Sequence, residues 1–254
     1  MKTALTVGDI YDAIDKFAPF ETQMSFDNAG LLIGNRSDSV SKVAVALDAT
    51  IDTVKSAADN KCELLITHHP IIFNPIKSMR TDSEVYAAVK LGVAVISAHT
   101  NLDAADGGVN DCLAKAIGMN NVSKLSDGSP YPPMARIGDI QSMSDVELAL
   151  HLKKALGCGG VKTVRVKDTI KRVAVCGGAG GDFIVCAKEA GADALITGEC
   201  KHHERLLAKR MGINLYECGH YCTEQIVKSK IAEIISELCD EVVVLDESDP
   251  AEYI

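Results

Sequence analysis

The sequence predicts an α/β protein made of two similar lobes, each built on a mainly parallel sheet. Three observations carry this reading. Apolar strand-like runs alternate with amphipathic helical stretches, an order that favours parallel pairing because parallel neighbours need a crossover helix. The segment "VSKVAVALDATIDTVKSAADNKCELLIT" (40–67) aligns without gaps on "IKRVAVCGGAGGDFIVCAKEAGADALIT" (170–197). Further along, "LGVAVISAHTNLD" (91–103) is similar to "MGINLYECGHYCTE" (211–224).

Taken in order, the opening "MKTALTVGDIYDAIDKF" is interrupted by Asp9, Asp12 and Asp15 and lacks the apolar core of a signal peptide. Each copy of the repeat then reads as a basic-flanked Val-Ala-Val strand, a short loop, an amphipathic helix, an acidic residue and a Leu-Ile-Thr strand. A helix ends before Gly92 or Gly212, a strand follows, and a histidine stands at its exit. Between the copies, "LSDGSPYPPMARIGDI" (125–140) is dense in Pro, Gly and Ser and reads as the crossover between lobes. We therefore expect lobes at 1–128 and 129–254, with the C-terminal segment free to return to the first. Ser144 is the expected N-cap of the helix in "MSDVELALHLKKALG". The apolar set Ile226, Val227, Ile231, Ile234, Ile235 and Leu238 supports a last helix.

The composition narrows the function classes. With 254 residues, 47% hydrophobic and 24% charged, the chain can bury a large core, and no apolar run approaches the roughly 18 residues of a membrane span. A net charge of -9 works against a general nucleic-acid surface. The nine cysteines are scattered and form no CxxC pair, which argues against a structural zinc knuckle. A cytoplasmic protein without membrane contact is expected.

The chemistry concentrates where strands end, as it does in open α/β sheets. "LLITHHP" places His68 and His69 at one exit, "VISAHTNLD" places His99 and Asp103 at another, and "YECGHYCTE" places His220 and Glu224 at a third. Imidazole mixed with carboxylate points to Zn, Mn or Fe, in contrast to a thiolate cage. His68, His69, Asp103, His220 and Glu224 are too many ligands for one open catalytic ion and suit two ions sharing a bridging carboxylate. Adjacent histidines reach different ions only if the chain turns sharply between Thr67 and Pro70, and His99 is expected to support the ligands from outside. Cys218 and Cys222 flank His220 as less favoured soft ligands. In "CGGAGG" (176–181), Gly178 and Gly180 offer amides to an anion, although a tight turn explains the loop as well. "TGECKHHE" (197–204) brings Glu199, His202 and His203 to the position that His68 holds in the first copy, and makes Glu199 and His203 candidates for proton transfer.

In their order along the chain, "SFDNAGLLIG" (25–34), "ITHHP", "SAHTNLD", "CGGAGG", "ITGE" and "GHYCTE" resemble the family of GTP cyclohydrolase 1 type 2 homologues, also called Nif-three-like proteins. The resemblance spans nearly the whole chain. It implies a two-lobed fold holding two metal ions between the lobes, and a ring-shaped homohexamer whose metal sites face an enclosed cavity. Carried over by position, the family ligands fall on His68, His69, Asp103, His220 and Glu224, with Asp103 bridging. Family members often carry tryptophan where this chain has Phe26, and the short crossover leaves no room for the domain that some members insert.

Two functions compete on this reading. One is a metal-dependent hydrolase acting on a nucleotide or another small phosphorylated compound, with GTP named by the resemblance. The other is a non-enzymatic metal-binding assembly, an insertion factor or a scaffold for protein partners.

Overall fold

The computed structural model describes residues 4–252. It divides into two compact units, Met1–Asp106 with Val227–Glu247 and Gly107–Ile226 with Ser248–Ile254. The chain enters the first unit through α1 (Val7–Phe17), whose start is a capping box: Thr6 Oγ1 accepts the Asp9 amide and the Asp9 carboxylate accepts the Thr6 amide. There follow β1 (Gly30–Ile33), β2 (Lys42–Ala46), α2 (Ile51–Asp59), β3 (Leu64–Thr67), α3 (Glu84–Leu91), β4 (Ala94–Ser97) and the short α4 (Thr100–Ala104).

The second unit runs through α5 (Val109–Ala116), β5 (Asn120–Leu125), β6 (Ala135–Ser144), α6 (Asp145–Leu156), β7 (Lys162–Val164) and β8 (Thr169–Cys176). It continues with α7 (Ile184–Glu189), β9 (Ala194–Thr197), α8 (His202–Met211), β10 (Asn214–Glu217) and α9 (His220–Glu224). The last helix and strand, α10 (Val227–Ser236) and β11 (Glu241–Val244), belong to the first unit, where β11 pairs in parallel with β2.

The first sheet has the order β1-β4-β3-β2-β11, and all its pairings are parallel except that of β1 with β4. The second has the order β5-β6-β8-β9-β10-β7 and is mixed: β8, β9 and β10 run parallel, bracketed by antiparallel β6 and β7. The sequence repeat is the parallel core of each sheet. Val43 pairs with Leu64 and Ala46 with Thr67, just as Val173 pairs with Ala194 and Cys176 with Thr197.

Both faces of each parallel core are apolar, so the strands read as continuous hydrophobic runs. On one face of the first sheet Ala44, Leu65 and Val95 pack on Val54 and Ala57 of α2 and on Val85 and Ala88 of α3. In the second sheet Val173, Ile196 and Tyr216 pack on Leu113 of α5 and Leu148 and Leu152 of α6, while Ala174, Leu195 and Leu215 face Ile184 of α7 and Ala208 of α8. The acidic residue before each second strand acts as a clamp. The Glu63 carboxylate accepts the amides of Ser41 and Lys42, and the Asp193 carboxylate accepts those of Lys171 and Arg172. Burial pushes both carboxyl groups up, and these amides, with Lys167 beside Asp193, outweigh it and hold both below the ordinary carboxylate range.

The unit boundary and the Pro/Gly-rich stretch differ from the sequence expectation for a packing reason. Leu113, Ala114, Ile117 and Met119 lie in the core of the second unit, so that unit begins at Gly107 instead of after residue 128. Residues 126–134 join β5 to β6, which pair antiparallel within one sheet, instead of linking lobes. Ser144 caps α6 as expected, accepting the Glu147 amide, and Gly92 and Gly212 end α3 and α8 in the left-handed region. Among the described residues no helix is long and apolar enough to cross a membrane.

Candidate metal centre

In the first unit the exits of β2, β3 and β4 bring together Asp48, His68, His69, His99 and Asp103. The amides of His68 and His69 both donate to the Leu47 carbonyl, at 3.1 and 3.0 Å. Two consecutive amides on one acceptor are incompatible with an extended strand, so the chain turns at this point. Thr67 Oγ1 closes the turn by donating to the His69 carbonyl at 2.8 Å. Strand alternation is thereby broken, and the two rings lie 5.0 Å apart.

Each of the three imidazoles is oriented through its Nδ1. That of His68 donates to the Ala98 carbonyl at 2.9 Å, that of His69 to Asp48 Oδ1 at 2.7 Å, and that of His99 to Asp27 Oδ1 at 2.8 Å. With Nδ1 protonated, the lone pair sits on Nε2, the arrangement by which metal-binding histidines have their tautomer fixed. Ligand atoms of His68, His69 and His99 lie within 4.8 Å of one another and form a group able to hold an ion. Asp103 Oδ1 is 3.7 Å from His68 Nε2. His99, expected to support the ligands from outside, lies close to both histidines.

Asp27 explains the rigidity of this corner. Its fully buried carboxylate accepts from His99 and from both the amide and the hydroxyl of Thr100, at 3.0 and 2.5 Å. Burial pushes its carboxyl up, yet the His99 and Thr100 hydrogen bonds outweigh that and hold it at about 2. Sequence reasoning missed Asp27 and Asp48 as positioning residues. Asp48 stands at the exit of β2, where the strand-exit rule applied to the other strands would have found it.

In the second unit His220 and Glu224 lie one turn apart on α9, with His220 Nε2 3.0 Å from Glu224 Oε2. His220 Nδ1 lies 3.2 Å from Glu199 Oε1, while Glu224 is 4% exposed. The chain reaches His220 through Gly219, whose φ of 90° is open to glycine and strained for other residues. This is the additional residue that makes 211–224 one longer than 91–103, and it keeps the His-x-x-x-acid spacing equal in the two copies.

The glycine-rich loop has a different task from the anion binding considered for Gly178 and Gly180. The amides of Gly177, Gly178 and Gly180 donate to Asn110 Oδ1, Thr223 Oγ1 and Thr197 Oγ1 at 2.8, 3.1 and 2.8 Å, so they are committed within the fold. A Cβ on Gly178 would fall on the Glu224 carboxylate and within 3.2 Å of His220 Nε2, and one on Gly180 would lie 2.7 Å from Thr197 Oγ1. Gly178 makes room for the His220 and Glu224 side chains, and Gly180 for Cys176 and Thr197. His202 and His203 begin α8 on an exposed surface, with His203 Nε2 4.0 Å from Glu204. Cys218 and Cys222 are buried, and burial with nearby thiol and carboxylate groups raises the Cys222 thiol to about 11. That works against the thiolate form a soft ligand needs.

The fold and these side chains define a two-unit α/β protein in which imidazoles and carboxylates gather at strand exits. The chain belongs to the Duf34/NIF3 (NGG1p interacting factor 3) family, whose model matches residues 5–250. A Clostridium perfringens protein called "GTP cyclohydrolase 1 type 2 homolog" is 34% identical over 266 residues, covering 98% of this chain and 100% of that protein. The crystal structure of a Staphylococcus aureus hypothetical protein superposes with a TM-score of 0.90 at 27% identity, covering 99% of this chain and 100% of that one. A Bacillus cereus protein related to NIF3, 23% identical over the whole of both chains, shares the fold with a TM-score of 0.90.

Proposed function

We propose that this chain is a metal-dependent hydrolase of a nucleotide or another small phosphorylated compound, GTP being the candidate that its relatives' names suggest. One observation carries the reading: the adjacent strand-exit imidazoles of His68 and His69, each turned by an oxygen on Nδ1 so that Nε2 is left to ligate. The donor chemistry fits two divalent ions, zinc, manganese or iron, because imidazole nitrogen and carboxylate oxygen suit all three. His68, His69, Asp103, His220 and Glu224 are assigned as the residues that would hold such ions. When bound, such a pair lowers the pKa of water towards neutrality and polarises the bond under attack.

The remaining steps fall to the chain's own groups. Asp48 and the Ala98 carbonyl fix the tautomers of His69 and His68. Glu199, exposed and hydrogen-bonded to His220, is the first candidate to take a proton from the attacking water and return it to the leaving group. His203 is the second candidate for that transfer. With GTP, water adds to the imidazole carbon of guanine and opens the ring, and a further hydrolysis releases formate. A ring-shaped homohexamer in the cytoplasm belongs to the same reading on the strength of the family resemblance, and light scattering tests it: a monomer at micromolar concentration removes the enclosed cavity.

The deciding experiment incubates protein loaded with Zn, Mn or Fe with GTP, other nucleotides and simple phosphoesters and separates the products by chromatography. Conversion that disappears in Asp103→Ala supports the hydrolase. Conversion no faster than that variant, with metal retained, makes the non-enzymatic metal-binding assembly the better description.

A further inference from the structure

Of the five phenylalanines, Phe20 and Phe183 are buried and Phe17 is half-buried, whereas Phe26 and Phe73 are 59% and 44% exposed. The two exposed rings are neighbours, 6.3 Å apart between centroids and tilted by 48°. Phe73 in turn lies edge-on to His99 at 6.2 Å, and His99 lies 5.2 and 5.6 Å from His68 and His69. A continuous row of rings therefore runs from solvent to the candidate ligands.

The mounts of these rings are rigid. Phe26 precedes Asp27, whose buried carboxylate is held by His99 and Thr100, and Asn28 Nδ2 donates to the Ile72 carbonyl at 2.6 Å, tying the loop of Phe26 to that of Phe73. Exposed aromatic rings fixed in place beside a reactive centre present a stacking face without the entropy cost of ordering them on binding. Two rings are a small area compared with the roughly 800 Å² that each partner contributes to a stable protein interface, and they match one planar heterocycle.

We propose that Phe26 and Phe73 form a stacking subsite for the heteroaromatic ring of the substrate, a purine or a ring of similar size, next to the histidine cluster. The inference rests on the proposed function for the substrate class and selects, within it, ring-bearing compounds over simple phosphoesters.

The chain contains no tryptophan, so Phe26→Trp and Phe73→Trp each introduce a single fluorescent reporter at the subsite. With zinc-loaded protein, guanosine and GTP are expected to quench the emission saturably, and ribose 5-phosphate to leave it unchanged. By calorimetry, Phe26→Ala and Phe73→Ala should weaken GTP binding about 5- to 150-fold, the range of base-aromatic stacking, with bound metal unaltered. Emission from both tryptophan variants that ignores millimolar guanosine overturns the proposal. So does emission that follows protein concentration instead of purine, which would place the rings between copies of the chain. The two readings fail separately: quenching without conversion sinks the hydrolase and leaves the subsite standing, while conversion of ring-free phosphoesters without quenching does the reverse.

Discussion

Glu247 is far from the histidines in sequence, yet its removal should disturb them. Its carboxylate accepts the amides of Leu47 and Asp48 at 2.7 and 3.0 Å and pairs with the Lys228 ammonium at 3.0 Å, both side chains being 8% exposed. Glu247→Ala removes this carboxylate from the side of a buried ammonium that also donates to the Leu245 carbonyl at 3.2 Å. Breaking a buried ion pair from one side costs about 3–5 kcal/mol. For a chain of this size that corresponds to a fall in Tm of about 6–20 °C. Urea unfolding followed by circular dichroism measures the loss, and a double variant, Lys228→Met with Glu247→Leu, should recover much of it because both members of the buried pair are replaced together. The Leu47 carbonyl orients the His68 and His69 turn, so metal content should fall in the single variant as well. A loss below about 1 kcal/mol in Glu247→Ala, or a double variant no more stable than the single one, would refute this account.

Other expectations are more local. Purified protein should hold about two transition-metal ions per chain, and His220→Ala should lower the elemental count while the circular dichroism spectrum is kept; a count unchanged by the substitution removes His220 from the ligands. Gly178→Ala should also lose metal, since its Cβ displaces the Glu224 carboxylate and its φ of 59° is strained for alanine, whereas full occupancy would show that the loop yields. The Glu63 and Asp193 clamps predict a pH dependence: both folded values are depressed, so their contribution is complete above the unfolded carboxylate range and is lost as pH falls through the folded values. Unfolding midpoints should therefore drop more between pH 7 and pH 3 in the native chain than in Glu63→Gln/Asp193→Asn, and parallel slopes would assign no role to the clamps.

Much of the scaffold was legible because the two copies share strand register and because apolar runs ending in histidine mark strand exits whatever surrounds them. The turn at His68 and His69 followed from the chemistry of two adjacent imidazoles and is visible in the shared Leu47 acceptor. Long-range partners were not legible. Nothing local in "SFDNAG" says that Asp27 reaches His99, and nothing in "LDESDP" says that Glu247 receives amides from β2's exit, since both contacts depend on how distant segments come together. The loop "CGGAGG" misled for a related reason: glycine marks absent side chains, and only the packed neighbours tell whether the space takes a ligand or the chain's own carboxylate.

The clamped strands have a consequence for how such a protein can diverge. In β3 and β9 four residues separate a carboxylate that ties the strand's entrance from an exit that bears candidate site residues. Cohesion is concentrated at one end and reactivity at the other, so substitutions at an exit leave the anchoring of the strand largely untouched. A duplicated layer with this polarity can keep its entrances alike while its exits drift apart, one towards paired histidines and the other towards Gly198 and Glu199.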